Sequence, residues 1–162
     1  MYLVVLAVFL KNAWVTEDAC INFRSLEQLF AGHGPVWNIG ERVQVYSSPL
    51  WFWLLAAGRL LTGNEYELVL IASGALTMAL LWQLHRMADG HRLVWMLMVL
   101  LLVASSAFFD FTSSGLENPL SYVLLAGFVL AFWPLWWSDG AAGRWSGGWP
   151  HRRCWWCAAS IW

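Results

Sequence analysis

The sequence predicts an all-α membrane protein, with about four transmembrane helices and a large first extracytoplasmic loop that carries amphipathic or interfacial helices. Three observations carry that expectation. Of the 162 residues, 60% are hydrophobic and only 12% are charged, well past the apolar share of an average soluble domain. Apolar runs recur along the chain, each almost free of charge, and a helix needs roughly 20 such residues to cross the hydrocarbon core. Arg86 and Arg92 gather in the short loop HRMADGHR, the pattern of a cytoplasmic turn between two spans.

The spans are expected at about 1–15, 66–85, 93–109 and 119–137, with 16–65 as the outer loop. Tyr2 to Val15 is short, has Lys11 and Asn12 near its end, and reads as a span that has lost its beginning. A cleaved signal peptide is the rival reading, but the basic leader and a small-x-small cleavage site are both missing. Leu68 to Leu84, Leu93 to Phe109 and Leu120 to Trp137 supply the other three spans.

Thr16 to Phe30 reads as an amphipathic helix with Thr16 as its N-cap and Ile21, Leu26, Leu29 and Phe30 available to a membrane-facing stripe. Glu17 and Asp18 in its first turn have a simple structural account, since acids there complement the helix dipole by a few tenths of a kcal/mol each. Arg24, seven residues after Glu17, falls on nearly the same face two turns on. Gly32-His33-Gly34-Pro35 should end the helix and Asn38-Ile39-Gly40 should turn the chain again, before Glu41 and Arg42. So ordered and polar a segment exceeds what a connector needs and looks functional.

Ser48 and Pro49 start a further helix, Pro49 to Leu61, as N-cap and first helical residue. It is too short to span, and placing it across the bilayer would put the Arg86/Arg92 loop outside. It is therefore expected to lie in the outer interface or to dip in and return, with Trp51 and Trp53 at headgroup depth. Segments 16–67 and 110–118 then share the outer face, where chemistry would take place.

Nine basic residues against ten acidic ones give a net charge of −1, with no basic cluster of the kind a nucleic-acid binder uses. Partners should be lipid or lipid-borne. Cys20, Cys154 and Cys157 are too few and scattered for a disulfide framework. Residues 138–162 form an irregular tail rich in Gly, Arg, Trp and Cys, resembling a reading-frame shift, and its Cys154-Trp-Trp-Cys157 lacks the second ligand pair of a zinc site.

The order TEDACINFRSLEQLFAGHGPVWNIGERVQVYSSPLW resembles the first extracytoplasmic loop of the GT-C class of polyprenyl-phosphate-sugar-dependent membrane glycosyltransferases, arabinofuranosyltransferase-like members above all. The block SGLENPL, Ser114 to Leu120, is similar to a second motif of that class. The resemblance runs from about Thr16 to Phe132 and makes residues 1–137 the N-terminal part of a transmembrane catalytic module. It implies a donor sugar on polyprenyl phosphate, a cell-envelope glycan, lipid or protein acceptor, and an active face outside the bacterial inner membrane. It also implies that Asp18 and Glu17 are catalytic, with Asp18 as base, and that a divalent metal sometimes assists. Glu17 stands where Asp is usual, which keeps the charge and lengthens the arm. Arg24, His33, Arg42 and Glu117 are the implied substrate-binding residues, each with a local structural alternative: a headgroup for Arg24, a turn carbonyl for His33, Glu41 for Arg42 and loop amides for Glu117. Cys20 replaces a common Tyr and is expected to be buried. The alternative reading is a truncated, non-catalytic membrane fragment of such an enzyme, and a small transporter or channel subunit is a third.

Overall fold

Seven helices follow one another in the computed structural model, which describes residues 1–41 and 43–140, with side chains through Trp133. They are α1 (Tyr2–Lys11), α2 (Glu17–Phe30), α3 (Pro49–Arg59), α4 (Glu65–Met87), α5 (Arg92–Ala104), α6 (Ser106–Ser113) and α7 (Asn118–Gly140). No strand occurs among the described residues. The chain divides into two units, 1–130 and 131–162, and the packing and the site described below belong to the first.

The boundaries have local causes. Asn64 caps α4, its Oδ1 accepting from the Tyr66 amide at 3.0 Å, while Glu65 and Glu67 face the positive end of the helix dipole and His85 and Arg86 the negative end. Helix α2 closes in a Schellman motif. The His33 amide donates to the Gln28 carbonyl at 3.0 Å and the Gly32 amide to Leu29 at 3.1 Å, with Gly32 at φ +86°. Pro49 opens α3 directly after Ser48.

Helix α4 is the organiser, touching α1, α3, α5 and α6. Two apolar clusters form on it. One joins Leu26 of α2, Trp51, Phe52 and Leu55 of α3, Val69 of α4 and Leu120 of α7; the other joins Val5 and Phe9 of α1, Leu80 and Leu81 of α4, Val99 of α5 and Phe108 and Phe109 of α6. At Gly74 a Cβ would stand 3.5 Å from the Phe9 ring, an ordinary van der Waals distance, so α1 packs on α4 with room for a methyl group there. Arg59 pairs with Glu65 across the α3–α4 turn and lies over the Phe30 ring, its Cζ 5.0 Å from the centroid.

Several expectations need correction. Only α4 is by itself long and apolar enough to cross a membrane among the described residues; the bent pair α5 and α6 makes a second candidate. The expected span 93–109 is broken, because Ser105 takes extended geometry and its Oγ accepts from the Phe108 amide at 3.3 Å, starting α6 at a 74° bend. Helix α1 stops at Lys11, its ten residues rising about 15 Å, half a hydrocarbon core. Trp51, expected at headgroup depth, is fully buried in the protein, and its indole N–H donates to the Gly115 carbonyl at 3.1 Å. Leu26, expected on a lipid-facing stripe, is fully buried in the protein, and Cys20, expected to be buried, is exposed. Helix α7 continues through Gly140, into the expected irregular tail, whose remaining residues, with Cys154 and Cys157, lie outside the described ones.

Apolar surface is plentiful outside the two clusters. Helix α5 buries only Val99, while Leu93, Met96, Leu97, Leu100 and Leu101 are all half or more exposed, and α7 exposes Leu124, Leu125 and Phe128. Soluble monomers do not carry such faces uncovered, so they mark contact with lipid or with more protein.

Candidate functional site

The first turn of α2 is held from a distance. Thr16 stands at the N-cap with φ −74° and ψ 157°, makes no side-chain cap bond, and donates its amide to the Ser114 carbonyl at 2.9 Å. Just before it, the Asn12 carbonyl accepts from Ser113 Oγ at 3.2 Å. The segment Ser113–Leu116 thus staples the α1–α2 junction. Trp51 grips the same segment at Gly115, and Ser47 Oγ donates to Glu117 Oε1 at 3.2 Å. Glu117 precedes α7 and caps it through its backbone, its carbonyl accepting from the Ser121 amide at 3.0 Å.

Gly115 makes the close approach possible. Its φ is +86°, in the left-handed region, and a Cβ there would meet Ala19 Cβ at 2.9 Å and Val15 Cγ1 and Val69 Cγ1 at 3.1 Å each. Glycine is required twice over, by conformation and by space. This contact brings the start of α2 beside the start of α7, and between them opens a cavity of about 470 Å³. Its walls are Asp18, Ile21 and Asn22 of α2, Val45 and Ser47 of the long loop, Phe111 of α6, and Leu116, Glu117 and Asn118.

Two of the six residues singled out in the sequence therefore share one cavity: Asp18 and Glu117, 99 positions apart in the chain. Glu17 is exposed next to Asp18 but does not line it. Arg24 sits on another face of α2. Its Nε donates to the Trp37 carbonyl at 3.1 Å, its Nη2 reaches Asn38 Oδ1 at 3.5 Å, and its guanidinium carbon lies 4.8 Å from the Trp37 ring centroid. Asn38 in turn donates to Glu41 Oε2 at 3.0 Å. Arg24 thus ties the loop to the helix. His33 is exposed at the end of α2, its backbone serving the Schellman motif, and it is not part of the cavity wall. Arg42 lies outside the described residues.

Sequence reasoning passed over Asn22, Ser47, Phe111 and Asn118. Asn22 carried a usable signal, since it stands four residues after Asp18 and a helix sets i and i+4 on one face. Ser47 carried none, because its place beside Glu117 depends on how α3 and α7 dock. No group of three or more His, Cys, Asp or Glu stands close enough together to hold a metal ion among the described residues.

Comparison with known proteins adds an independent line. The chain is 33% identical over 140 residues to the terminal beta-(1->2)-arabinofuranosyltransferase of Mycobacterium tuberculosis, covering 78% of this chain and 21% of that protein. It is 32% identical over 133 residues to the enzyme of the same name from Corynebacterium glutamicum, covering 74% of this chain and 19% of that protein. The chain therefore spans about a fifth of the length of these relatives. No protein-family model matches it, and no solved structure matches it. The similarity makes the chain arabinofuranosyltransferase-like and points to glycosyl transfer.

Proposed function

We propose that this arabinofuranosyltransferase-like chain carries the acceptor-activating face of a membrane glycosyltransferase, moving a sugar, arabinofuranose by likeness, from a polyprenyl-phosphate donor to a cell-envelope glycan, lipid or protein. The observation that carries the reading is the shared cavity: Asp18 and Glu117, from two distant motifs, line the same space. Asp18 serves as general base. As the acceptor oxygen bonds to the anomeric carbon from the face opposite the phosphate, its proton passes to the Asp18 carboxylate. The carbon–oxygen bond to the donor phosphate breaks, and its electron pair leaves with the phosphate, inverting the anomeric centre. General-base assistance of this kind is worth about 10²–10⁴-fold in rate. Glu117, fixed by Ser47 and by its place before α7, binds acceptor hydroxyls, and Glu17 supports the charge at the mouth of the cavity. Arg24 orders the loop after α2, and the resemblance alone assigns His33 and Arg42 to the donor phosphate.

The exposed apolar faces of α5 and α7 support a multi-pass arrangement in the bacterial inner membrane. In this reading α1, α4, the α5–α6 pair and α7 lie in the bilayer, the Arg86/Arg92 turn faces the cytoplasm, and the cavity opens on the extracytoplasmic side. The test is transfer of labelled arabinofuranose from polyprenyl phosphate to an arabinofuranoside acceptor, by membranes containing the chain or its Asp18→Asn variant. A loss of about 100-fold or more, with equal insertion, is expected; unchanged turnover removes Asp18 as base. The alternative reading is a non-catalytic membrane fragment of such an enzyme, which predicts no transfer by the unaltered chain.

A further inference from the structure

We infer that the cavity between α2 and α7 is a subsite for a neutral sugar ring, the terminal residue of the acceptor, with Phe111 as its apolar platform and Asn22, Ser47 and Asn118 as readers of ring hydroxyls. The inference rests on the glycosyltransferase reading and goes further by naming the side chains that seat and read the acceptor ring.

Three observations carry it. The first is an amide on the cavity wall. Asn22 lines the cavity, and its side chain makes no hydrogen bond to another described residue, so its donor and acceptor are open to a ligand or water there. The second is charge. The described cavity wall holds two carboxylates and no Lys, Arg or His. The positive ends of α2 and α7 do not offset this for a phosphate, because Asp18 and Glu117 already occupy those ends. A phosphate is repelled here, whereas a ring bearing only hydroxyls finds carboxylate and amide acceptors together with amide and hydroxyl donors. The third is the platform. Phe111 forms part of the wall and is 53% exposed, so the protein's own packing does not cover its ring. An aromatic side chain beside hydroxyl-reading groups suits the two faces of a sugar ring, one rich in C–H and one rich in O–H. The volume, about 470 Å³, lies within the roughly 300–1,000 Å³ of small-molecule sites.

The geometry also accounts for division of labour. An acceptor ring seated on Phe111 between Asn22 and Asn118 presents a hydroxyl to Asp18 on the same wall, while the donor phosphate stays outside this wall.

The test uses the full chain in lipid nanodiscs, with binding of a methyl arabinofuranosyl disaccharide followed by saturation-transfer NMR and by calorimetry. The unaltered chain should bind it, Phe111→Ala and Phe111→Leu should each weaken binding by about tenfold, and Phe111→Tyr should restore it. Asn22→Ala should weaken it comparably, and arabinofuranose 1-phosphate should bind at least about tenfold more weakly than the neutral glycoside. Because Phe111 is half-exposed, its variants should leave the fold intact, which the thermal transition verifies. No binding by the unaltered chain, binding indifferent to both positions, preference for the sugar phosphate, or binding only with an added divalent cation each overturn the subsite. Glycoside binding that depends on Phe111, alongside normal transfer by Asp18→Asn, would keep the subsite and remove only the assigned base.

Discussion

Replacing Gly115 with alanine probes the contact that brings the two acids together. Two costs add. Holding a non-glycine residue at φ +86° costs about 1–2 kcal/mol. The new Cβ would also stand 2.9 Å from Ala19 Cβ and 3.1 Å from methyl carbons of Val15 and Val69. These are short side chains with nowhere to swing, and overpacking of this kind costs about 1–3 kcal/mol more. Gly34 supplies the control. Its φ is +85°, nearly the same, yet nothing lies within 4 Å of its Cβ position. Gly34→Ala should therefore cost only the conformational part. The two variants differ by the packing part, about 1–3 kcal/mol, and at 2–4 °C per kcal/mol for a chain of this size Gly115→Ala should melt about 2–12 °C below Gly34→Ala. Thermal unfolding of both purified proteins in the same detergent, followed by tryptophan fluorescence, measures the difference. Equal melting temperatures would refute the close packing of α2, α4 and the Ser113–Leu116 segment on which the cavity depends.

Two further outcomes follow from the same contacts. Trp51→Phe removes the indole donor from the Gly115 carbonyl; with Trp51 fully buried, that carbonyl loses its partner and stability should fall by about 1–3 kcal/mol in chemical denaturation. A stability equal to the unaltered chain would show that the bond does not hold the segment. Arg24→Ala releases the Trp37 carbonyl and ring together, a loss of about 1 kcal/mol at this exposed place, and amide exchange in residues 33–41 should accelerate while exchange in α4 stays unchanged.

Most helix starts could be read from the chain because their causes are local. Thr16 before two acids and Ser48 before Pro49 mark α2 and α3 one residue ahead of where they begin, and Gly32 marks the end of α2 through the left-handed geometry that it accepts. What hydropathy averaged away was the break at Ser105. A hydroxyl amid apolar neighbours barely lowers the mean over 93–109, but it can take the Phe108 amide, and it does. Burial was the other failure. Trp51 and Leu26 are apolar in a way that suits lipid and protein equally, and only the docking of α2 and α3 on α4 decides between them.

The site divides along the same line. Asp18 and Glu117 could be named from motifs, because both stand at helix starts with distinctive neighbours. That they face one space is a consequence of Gly115, Trp51 and Ser47, three residues whose partners are distant in sequence: Ala19 and Val69 for the first, Gly115 and Glu117 for the others. The sequence suggests Arg24 beside the acids because Glu17 and Arg24 share a face. The cavity lies on the Asp18/Asn22 face, about 100° around the helix from it.

The most direct measurement is proximity across the cavity in the membrane. With Cys20, Cys154 and Cys157 changed to serine, Asp18→Cys and Glu117→Cys are introduced together and treated in intact cells with a membrane-impermeant bifunctional thiol reagent short enough to fit the cavity. An intramolecular cross-link between positions 18 and 117, absent from either single-cysteine chain, is the predicted result. Efficient single labelling of both positions without a cross-link, or protection of one while the other reacts, would contradict the shared outer cavity.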